Sequence, residues 1–227
     1  MKTFAGIAVV VLAVFLVPFL ASTSKKGVEE QLTHGLPWQI ETPAPGQSRV
    51  FGLTLGNSLT GPKASILADA RQRFPESFKL ALVAPNEGPL SLEAYFETVS
   101  LGTLTGRLLL TIDATPAELE NMRQHADKAG YMESGTKKFL LSESDRSRAD
   151  RLPLRGIAFI PSADLNDKTV ISRFGVPMER VQQGETLEHF LYPDKGVDVV
   201  IDSKGKEVLQ YVAPADFARL RDPLSKK

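Results

Sequence analysis

Two similar stretches, LEAYF at residues 92–96 and LEHFL at residues 187–191, decide the fold predicted for this chain. Each stretch follows an Arg-Phe pair and precedes a β-rich run that ends in Ile-Asp. The pairs lie in RQRFPE (71–76) and SRFGVP (172–177), and the runs are LLLTID (108–113) and VDVVID (197–202). This recurring order predicts one structural module that occurs twice, although two α+β halves that use similar elements by chance would give the same pattern.

Alternation of apolar with small or polar residues predicts the strands around these stretches. Examples are RVFGLTLG (49–56) and FKLALVA (78–84), and the runs SLEAYFETVSL (91–101), LRGIAFIP (154–161) and GVDVVID (196–202) are predicted strands as well. In the second stretch, Phe190 leaves the strand on the face opposite His189, because successive side chains of a strand alternate. We therefore expect Phe190 to be buried on the face that meets the helix of its module.

Apolar residues at helical spacing predict three main helices. They cover GPKASILADARQRF (61–74), TPAELENMRQHADKAGY (115–131) and SADLNDKTVISRFG (162–175). The second is the clearest, because Thr115 and Glu118 can form a capping box and Gly130 suits the position just after a helix. The third helix should bury Phe174 and end at Gly175.

The predicted fold class is α+β, with an N-terminal transmembrane helix followed by two similar helix-plus-antiparallel-meander modules. The predicted organisation is a membrane anchor or signal at 1–24, an extended tether at 25–48, a first α+β module at 49–141, a linker at 142–153 and a second α+β module at 154–227. Prolines in the tether favour extended backbone. Trp38, the only tryptophan, either packs on the folded body, which we favour, or lies at a membrane interface.

Residues 4–21, FAGIAVVVLAVFLVPFLA, carry no charged side chain. A helix of this length spans roughly 27 Å, close to the thickness of the hydrocarbon core of a bilayer. We favour an uncleaved anchor, because cleavage after Ala21 would place the bulky Phe19 at the third position before the cut; a secretory signal cleaved after Thr23 or Ser24 is the alternative. The signal-like N-terminus predicts a single-pass inner-membrane protein whose soluble body faces the periplasm.

The composition excludes several classes of function. Lys and Arg together number 27, and Asp and Glu also number 27, so the chain lacks the basic surplus typical of a nucleic-acid binder. The absence of cysteine excludes disulfides, cysteine-based metal sites and thiol catalysis, and it fits an oxidising compartment. We expect two partners, the membrane through residues 4–21 and another envelope or membrane protein, and no nucleic acid.

The residue types used in catalytic and metal sites occur without the spacing that such sites require. His34, His125 and His189 include no pair at metal-ligand spacing, and neither a nucleophile elbow nor a phosphate-binding glycine motif is present. The sequence therefore assigns no catalytic, cofactor-binding or metal-binding residue, and no cofactor. Glu93 and Glu188 occupy matching positions in the two stretches. We expect both to face solvent from a sheet edge; the alternative is that they mark equivalent partner-binding edges.

The second half resembles the small outer-membrane-assembly lipoprotein domain (SmpA/OmlA-like). The resemblance is carried by VISRFGVP (170–177) and FLYPDKGVDVVIDSKGKEV (190–208). In that family a helical segment ends in a short FG.P motif, and a meander follows whose first strand carries an aromatic-Tyr-Pro sequence. The resemblance implies a small αβ domain that binds other envelope proteins. This chain lacks the lipid-accepting cysteine of the family, which leaves the N-terminal helix as its expected anchor.

These observations predict a non-enzymatic, membrane-anchored envelope protein that binds other proteins, for example as an accessory subunit of a membrane protein complex. One alternative is a protein that binds a lipid or a small apolar ligand between helix and sheet. Another is a hydrolase with an unrecognised site. A pocket lined by Phe and Leu would favour the first alternative, and a cleft that gathers His189 with a serine and an acid would favour the second.

Overall fold

The structure, a computed structural model, describes residues 35–85, 88–132 and 135–225. In these residues the chain forms twelve β-strands and five short α-helices. The strands are β1 (Ser48–Val50), β2 (Leu53–Leu55), β3 (Phe78–Ala84), β4 (Ser91–Leu101), β5 (Leu104–Ile112), β6 (Lys128–Tyr131), β7 (Lys137–Leu140), β8 (Leu154–Pro161), β9 (Glu179–Gln183), β10 (Leu187–Tyr192), β11 (Val197–Asp202) and β12 (Val208–Val212). The helices are α1 (Leu67–Arg73), α2 (Pro116–Gln124), α3 (Glu143–Ala149), α4 (Asp167–Phe174) and α5 (Ala218–Arg221).

Ten of these strands form one antiparallel sheet in the order β6-β7-β3-β4-β5-β8-β12-β11-β10-β9, and β1 and β2 form a separate hairpin. The sheet continues from the first half of the chain into the second because β5 pairs with β8. The predicted α+β class with two similar modules is therefore wrong: the described chain is mostly β, and one sheet spans both halves.

Among the described residues, no helix is both long and apolar enough to cross a bilayer. The predicted transmembrane helix at residues 4–21 lies outside the described residues.

The main core lies against one face of the sheet, where a row of apolar side chains crosses seven strands. In pairing order the row is Phe78, Phe96, Leu108, Phe159, Leu209, Val199 and Phe190. The same apolar cluster includes Leu67 of α1, Met122 of α2, Ala149 of α3 and Val170 of α4. Each large side chain buried in this way stabilises the fold by about 1.5–3 kcal/mol. The predicted burial of Phe174 and Phe190 is confirmed.

The matching letters of LEAYF and LEHFL occupy opposite faces of the sheet. In β4, Leu92, Ala94 and Phe96 belong to the main core. In β10 it is Phe190 that belongs to this core, whereas Leu191 lies in a second cluster with Val212 and Phe217. A shift of one residue exchanges the two faces of a strand, so the repeated letters do not produce a repeated structure.

The limits that the sequence predicted are correct for several strands and helix caps and wrong for other elements. β3, β4 and β8 have the predicted limits, and the Thr115–Glu118 capping box and the Gly175 cap are confirmed. The helix predicted at 115–131 ends at Gln124, and Gly130 lies in β6, because the following residues pair with β7. The stretch 142–153 was expected to be a polar linker but contains α3. The hydroxyl of Ser142 caps this helix by accepting a hydrogen bond from the backbone amide of Asp145.

The last part of the predicted tether packs on the folded body. The indole of Trp38 makes an edge contact with Phe174 at 6.4 Å between ring centroids, and the Arg173 guanidinium lies 4.7 Å from the indole centroid. The buried hydroxyl of Tyr211 donates a hydrogen bond to the carbonyl of Pro37 at 3.0 Å. Of the two alternatives for Trp38, packing on the body is therefore confirmed.

Candidate functional site

The turn between β1 and β2 has an unusual backbone. RVFGLTLG was predicted to be one strand, but Val50 pairs with Leu53 across a two-residue turn. Its central residues, Phe51 and Gly52, have φ angles of 58° and 82°. Two positive φ angles in succession define a type I′ hairpin turn, in which glycine or asparagine is the ordinary choice and a bulky side chain is rare.

Tertiary packing of the Phe51 ring compensates for this backbone. The side chain is only 1% exposed. Its ring centroid lies 5.4 Å from that of Tyr211 and 5.7 Å from that of Phe159. Pairs of aromatic rings at such distances contribute about 0.5–1.5 kcal/mol each beyond the area they bury. The core therefore fixes the turn, and with it the direction of the Phe51 carbonyl.

That carbonyl positions an arginine at the wall of a cleft. The Nε of Arg73, at the end of α1, donates to the carbonyl of Phe51 at 3.0 Å. The cleft has a volume of about 740 Å³. It is lined by Gln39, Glu41, Arg49, Phe51, Arg73, Ser100 and three glycines, and we call it the Arg73 cleft. This lining is mainly polar, and so differs from the Phe- and Leu-lined pocket that an apolar ligand would favour.

The two arginines of the Arg73 cleft have different surroundings. Arg49 pairs with Glu41 at 3.2 Å, and its Nε donates to the hydroxyl of Thr54 at 3.0 Å. Arg73 forms no ion pair with any residue within 35–85, 88–132 or 135–225. The charges of Arg49 and Glu41 offset each other, so the wall carries one positive charge that these residues do not balance.

A second polar group lies on the opposite face of the sheet. The Nδ1 of His189 lies 2.8 Å from Oδ2 of Asp198, and its Nε2 lies 3.2 Å from Oε1 of Gln183. His189 is 5% exposed and Asp198 is 1% exposed. Burial raises the pKa of Asp198 above its usual value, and the hydrogen bond with His189 opposes that rise. Oδ1 of Asp198 has no hydrogen-bond partner among the residues that the structure describes.

This pair provides a base and an acid but no nucleophile. Among the described residues, the side chains that hydrogen-bond to His189 are Asp198 and Gln183, and neither is a serine or threonine. The cleft with a serine and an acid that would favour a hydrolase is thus not formed around His189 in these residues. The described residues also contain no group of three His, Asp or Glu side chains that could hold a metal ion.

The two glutamates of the repeated stretches do not lie at sheet edges. Glu93 is in β4, between β3 and β5, and Glu188 is in β10, between β11 and β9. They also lie on opposite faces, Glu188 on the face of Phe190 and Glu93 on the face opposite Leu92. Both interpretations of the pair as equivalent edge residues are therefore wrong.

The other histidines do not contribute to either group. His125 is exposed at the end of α2, and His34 lies outside the described residues. The groups that do come together, the Arg73 side chain with the Phe51 carbonyl and His189 with Asp198, were not predicted as sites. A signal for the first was the Phe-Gly pair of RVFGLTLG, since glycine between two apolar runs is a turn signal.

One edge of the sheet adjoins exposed apolar side chains. β9 is the last strand on its side of the sheet in the described part of the chain. Val176 is 84% exposed, Met178 is 67% exposed and Ile171 is 37% exposed. These three residues lie at the end of α4 and in the segment that enters β9, and we call them the β9 patch.

No family model, curated protein or solved structure matches the chain. The resemblance of the second half to the SmpA/OmlA-like domain stays a prediction.

Proposed function

We propose that this chain is a non-enzymatic, membrane-anchored envelope protein, facing the periplasm, that binds another protein at the free edge of β9. The observation that carries this proposal is the β9 patch beside a strand whose outer side has no partner in the described residues. Large exposed apolar side chains in the segment that enters a strand with unpaired backbone groups favour a protein interface.

The chemistry of β9 favours an extended segment of the partner. Five residues of strand present about 17 Å of edge, enough for several backbone hydrogen bonds. Arg180 pairs with Glu188 at 2.8 Å and with Asp167 at 2.7 Å, and Glu179 pairs with Arg221 at 3.0 Å. The charges that often protect an edge strand are therefore already balanced within the chain.

In this proposal the added strand supplies backbone hydrogen bonds, and its apolar side chains cover Val176 and Met178. Recognition by strand addition derives affinity from the main chain and specificity from side-chain contacts of this kind. The segment at residues 4–21 would keep the binding edge close to a membrane partner, which raises the effective concentration of the two proteins.

The test places a photo-crosslinking amino acid in the full chain in intact cells, at Met178 or Val181, with Leu59 as the control position. Leu59 is a fully exposed apolar residue in a loop before α1, whereas Met178 is 67% exposed and Val181 is half-buried. Positions 178 and 181 should give one adduct of the same mass, position 59 should not, and Val176→Asp should remove the adduct.

Identification of the adduct allows a direct measurement. The captured segment, made as a peptide, should bind the purified full chain at least tenfold less tightly when Val176 and Met178 are both replaced by aspartate. It should also slow hydrogen exchange of the β9 amides. An adduct between two copies of this chain, the same adduct from position 59, or binding without protection of β9 would refute the proposal.

A further inference from the structure

The Arg73 cleft has the size and the polarity of a site for a small polar molecule. Its volume of about 740 Å³ lies in the range of roughly 300–1,000 Å³ that is usual for ligand sites. Its charged side chains are two arginines and one glutamate, and Arg49 and Glu41 already pair with each other. The side chain that remains for a ligand is Arg73.

Arg73 is held in place at one nitrogen and leaves the others available. Its Nε donates to the carbonyl of Phe51, and its Cζ lies 5.1 Å from the centroid of the Phe74 ring. A guanidinium has five N–H donors, so four remain on the two terminal nitrogens. Among the described residues no carboxylate takes them. A fork of donors fixed in this way matches the oxygens of a carboxylate or a phosphate group.

The rest of the wall leaves room for an anion to approach. Two glycines face Arg73: a built Cβ would lie 3.7 Å from Nε at Gly52 and only 3.0 Å from Nη2 at Gly35, so the absence of a side chain at Gly35 keeps this terminal nitrogen open. Ser100 adds a hydroxyl at the cleft wall. A cavity of this volume is much larger than a single inorganic anion, which indicates a ligand with a polar body as well as a charged group.

We propose that the Arg73 cleft binds a small organic anion, whose carboxylate or phosphate group is received by the terminal nitrogens of Arg73. The site is separate from the β9 patch, because none of its lining residues belongs to β9, β10 or α4. Its failure would leave the protein-binding proposal unchanged, and the reverse also holds.

The experiment is calorimetric titration of the purified full chain in detergent, at constant ionic strength, with succinate, glycerol 3-phosphate and inorganic phosphate. Saturable binding of succinate alone identifies a carboxylate ligand, and saturable binding of glycerol 3-phosphate alone identifies a phosphate ligand. Arg73→Gln should weaken either by at least tenfold. Arg107→Gln is the matched control, because Arg107 is exposed, carries the same charge and alternates with the core residue Leu108.

Two further variants keep the test decisive if Arg73→Gln fails to fold. Arg73→Lys retains the charge but loses the planar fork, so it too should weaken binding. Ser100→Tyr places a bulky side chain at the cleft wall without removing a contact of Arg73, and it should block the organic anions. Binding that is equal in all variants, or that inorganic phosphate reproduces at the same affinity, would show nonspecific ion association and overturn the proposal.

Discussion

Replacement of Phe51 by alanine and by glycine separates two demands that the β1–β2 turn makes on this position. Because the ring is buried against Phe159 and Tyr211, its loss should cost about 3–5 kcal/mol in both variants. Alanine keeps the cost of left-handed backbone, about 1–2 kcal/mol, which glycine avoids. Glycine instead loses about 0.5–1 kcal/mol to the greater freedom of the unfolded chain. The glycine variant should therefore be the more stable one, by up to about 1.5 kcal/mol.

Leu53 provides the matched control. It lies two residues away in β2, is also only 1% exposed, and does not have a positive φ. At this position no cost of left-handed backbone opposes the greater freedom that glycine gives the unfolded chain. Leu53→Ala should therefore be more stable than Leu53→Gly by about 0.5–1 kcal/mol, the opposite order to that at Phe51.

Urea unfolding of the full chain in detergent measures these differences. Trp38 is the only tryptophan and packs against Phe174, so its fluorescence reports the folded body, and circular dichroism reports the sheet. The decisive quantity is the sign of the difference in the free energy of unfolding between the alanine and the glycine variant at each position. If alanine is the more stable residue at both, the left-handed turn is not a source of strain and the reasoning about Phe51 fails.

Two other predictions concern the buried acid and the membrane segment. Burial raises the pKa of Asp198 above its usual value of 3.8. Just above pH 3.8 the carboxyl group is therefore still protonated in the folded protein but ionised in the unfolded chain. The contribution of Asp198 to the free energy of unfolding thus falls as pH rises through this window. The free energy of unfolding of Asp198→Asn minus that of the parent protein, measured by urea titration, should therefore increase from about pH 4 upward. A difference that does not change with pH would contradict this prediction. If residues 4–21 stay attached as an anchor, the protein should remain in the membrane fraction after carbonate washing, whereas a released form that begins near Ser22 or Ser24 would show a cleaved signal.

The strands were predictable where their signal is local. β3 and β8 are rich in apolar residues over their full lengths, so their limits could be read from the sequence. The order of strands could not, because the pairing of β5 with β8 joins residues far apart in the chain. The helical pattern of 115–131 failed after Gln124 for a related reason: the amide of Asp127 bonds to the carbonyl of Leu140, and pairing with β7 overrides local propensity.

The sites were less predictable because they depend on tertiary burial. A phenylalanine argues against a left-handed turn by its residue type, and only the ring pocket of Phe159 and Tyr211 makes this conformation acceptable at Phe51. Asp198 alternates with buried valines and therefore has the pattern of a solvent-facing residue. It is buried because it pairs with Leu191, on the face that Phe217 of the C-terminal segment covers.

Tyr211 connects the Arg73 cleft to the tether. The Tyr211 ring packs on Phe51, whose carbonyl accepts a hydrogen bond from Arg73. The Tyr211 hydroxyl donates a hydrogen bond to the carbonyl of Pro37 in the tether. Residues on both sides of Pro37, Gly35 and Gln39, line the cleft. The cleft is thus complete only while the tether is docked. By linkage, an anion that binds the docked form stabilises it by RT ln(1 + [L]/Kd), about 2.7 kcal/mol at one hundred times Kd. Ligand binding and docking of the tether on the body would therefore depend on each other, although the ligand contacts only a few residues.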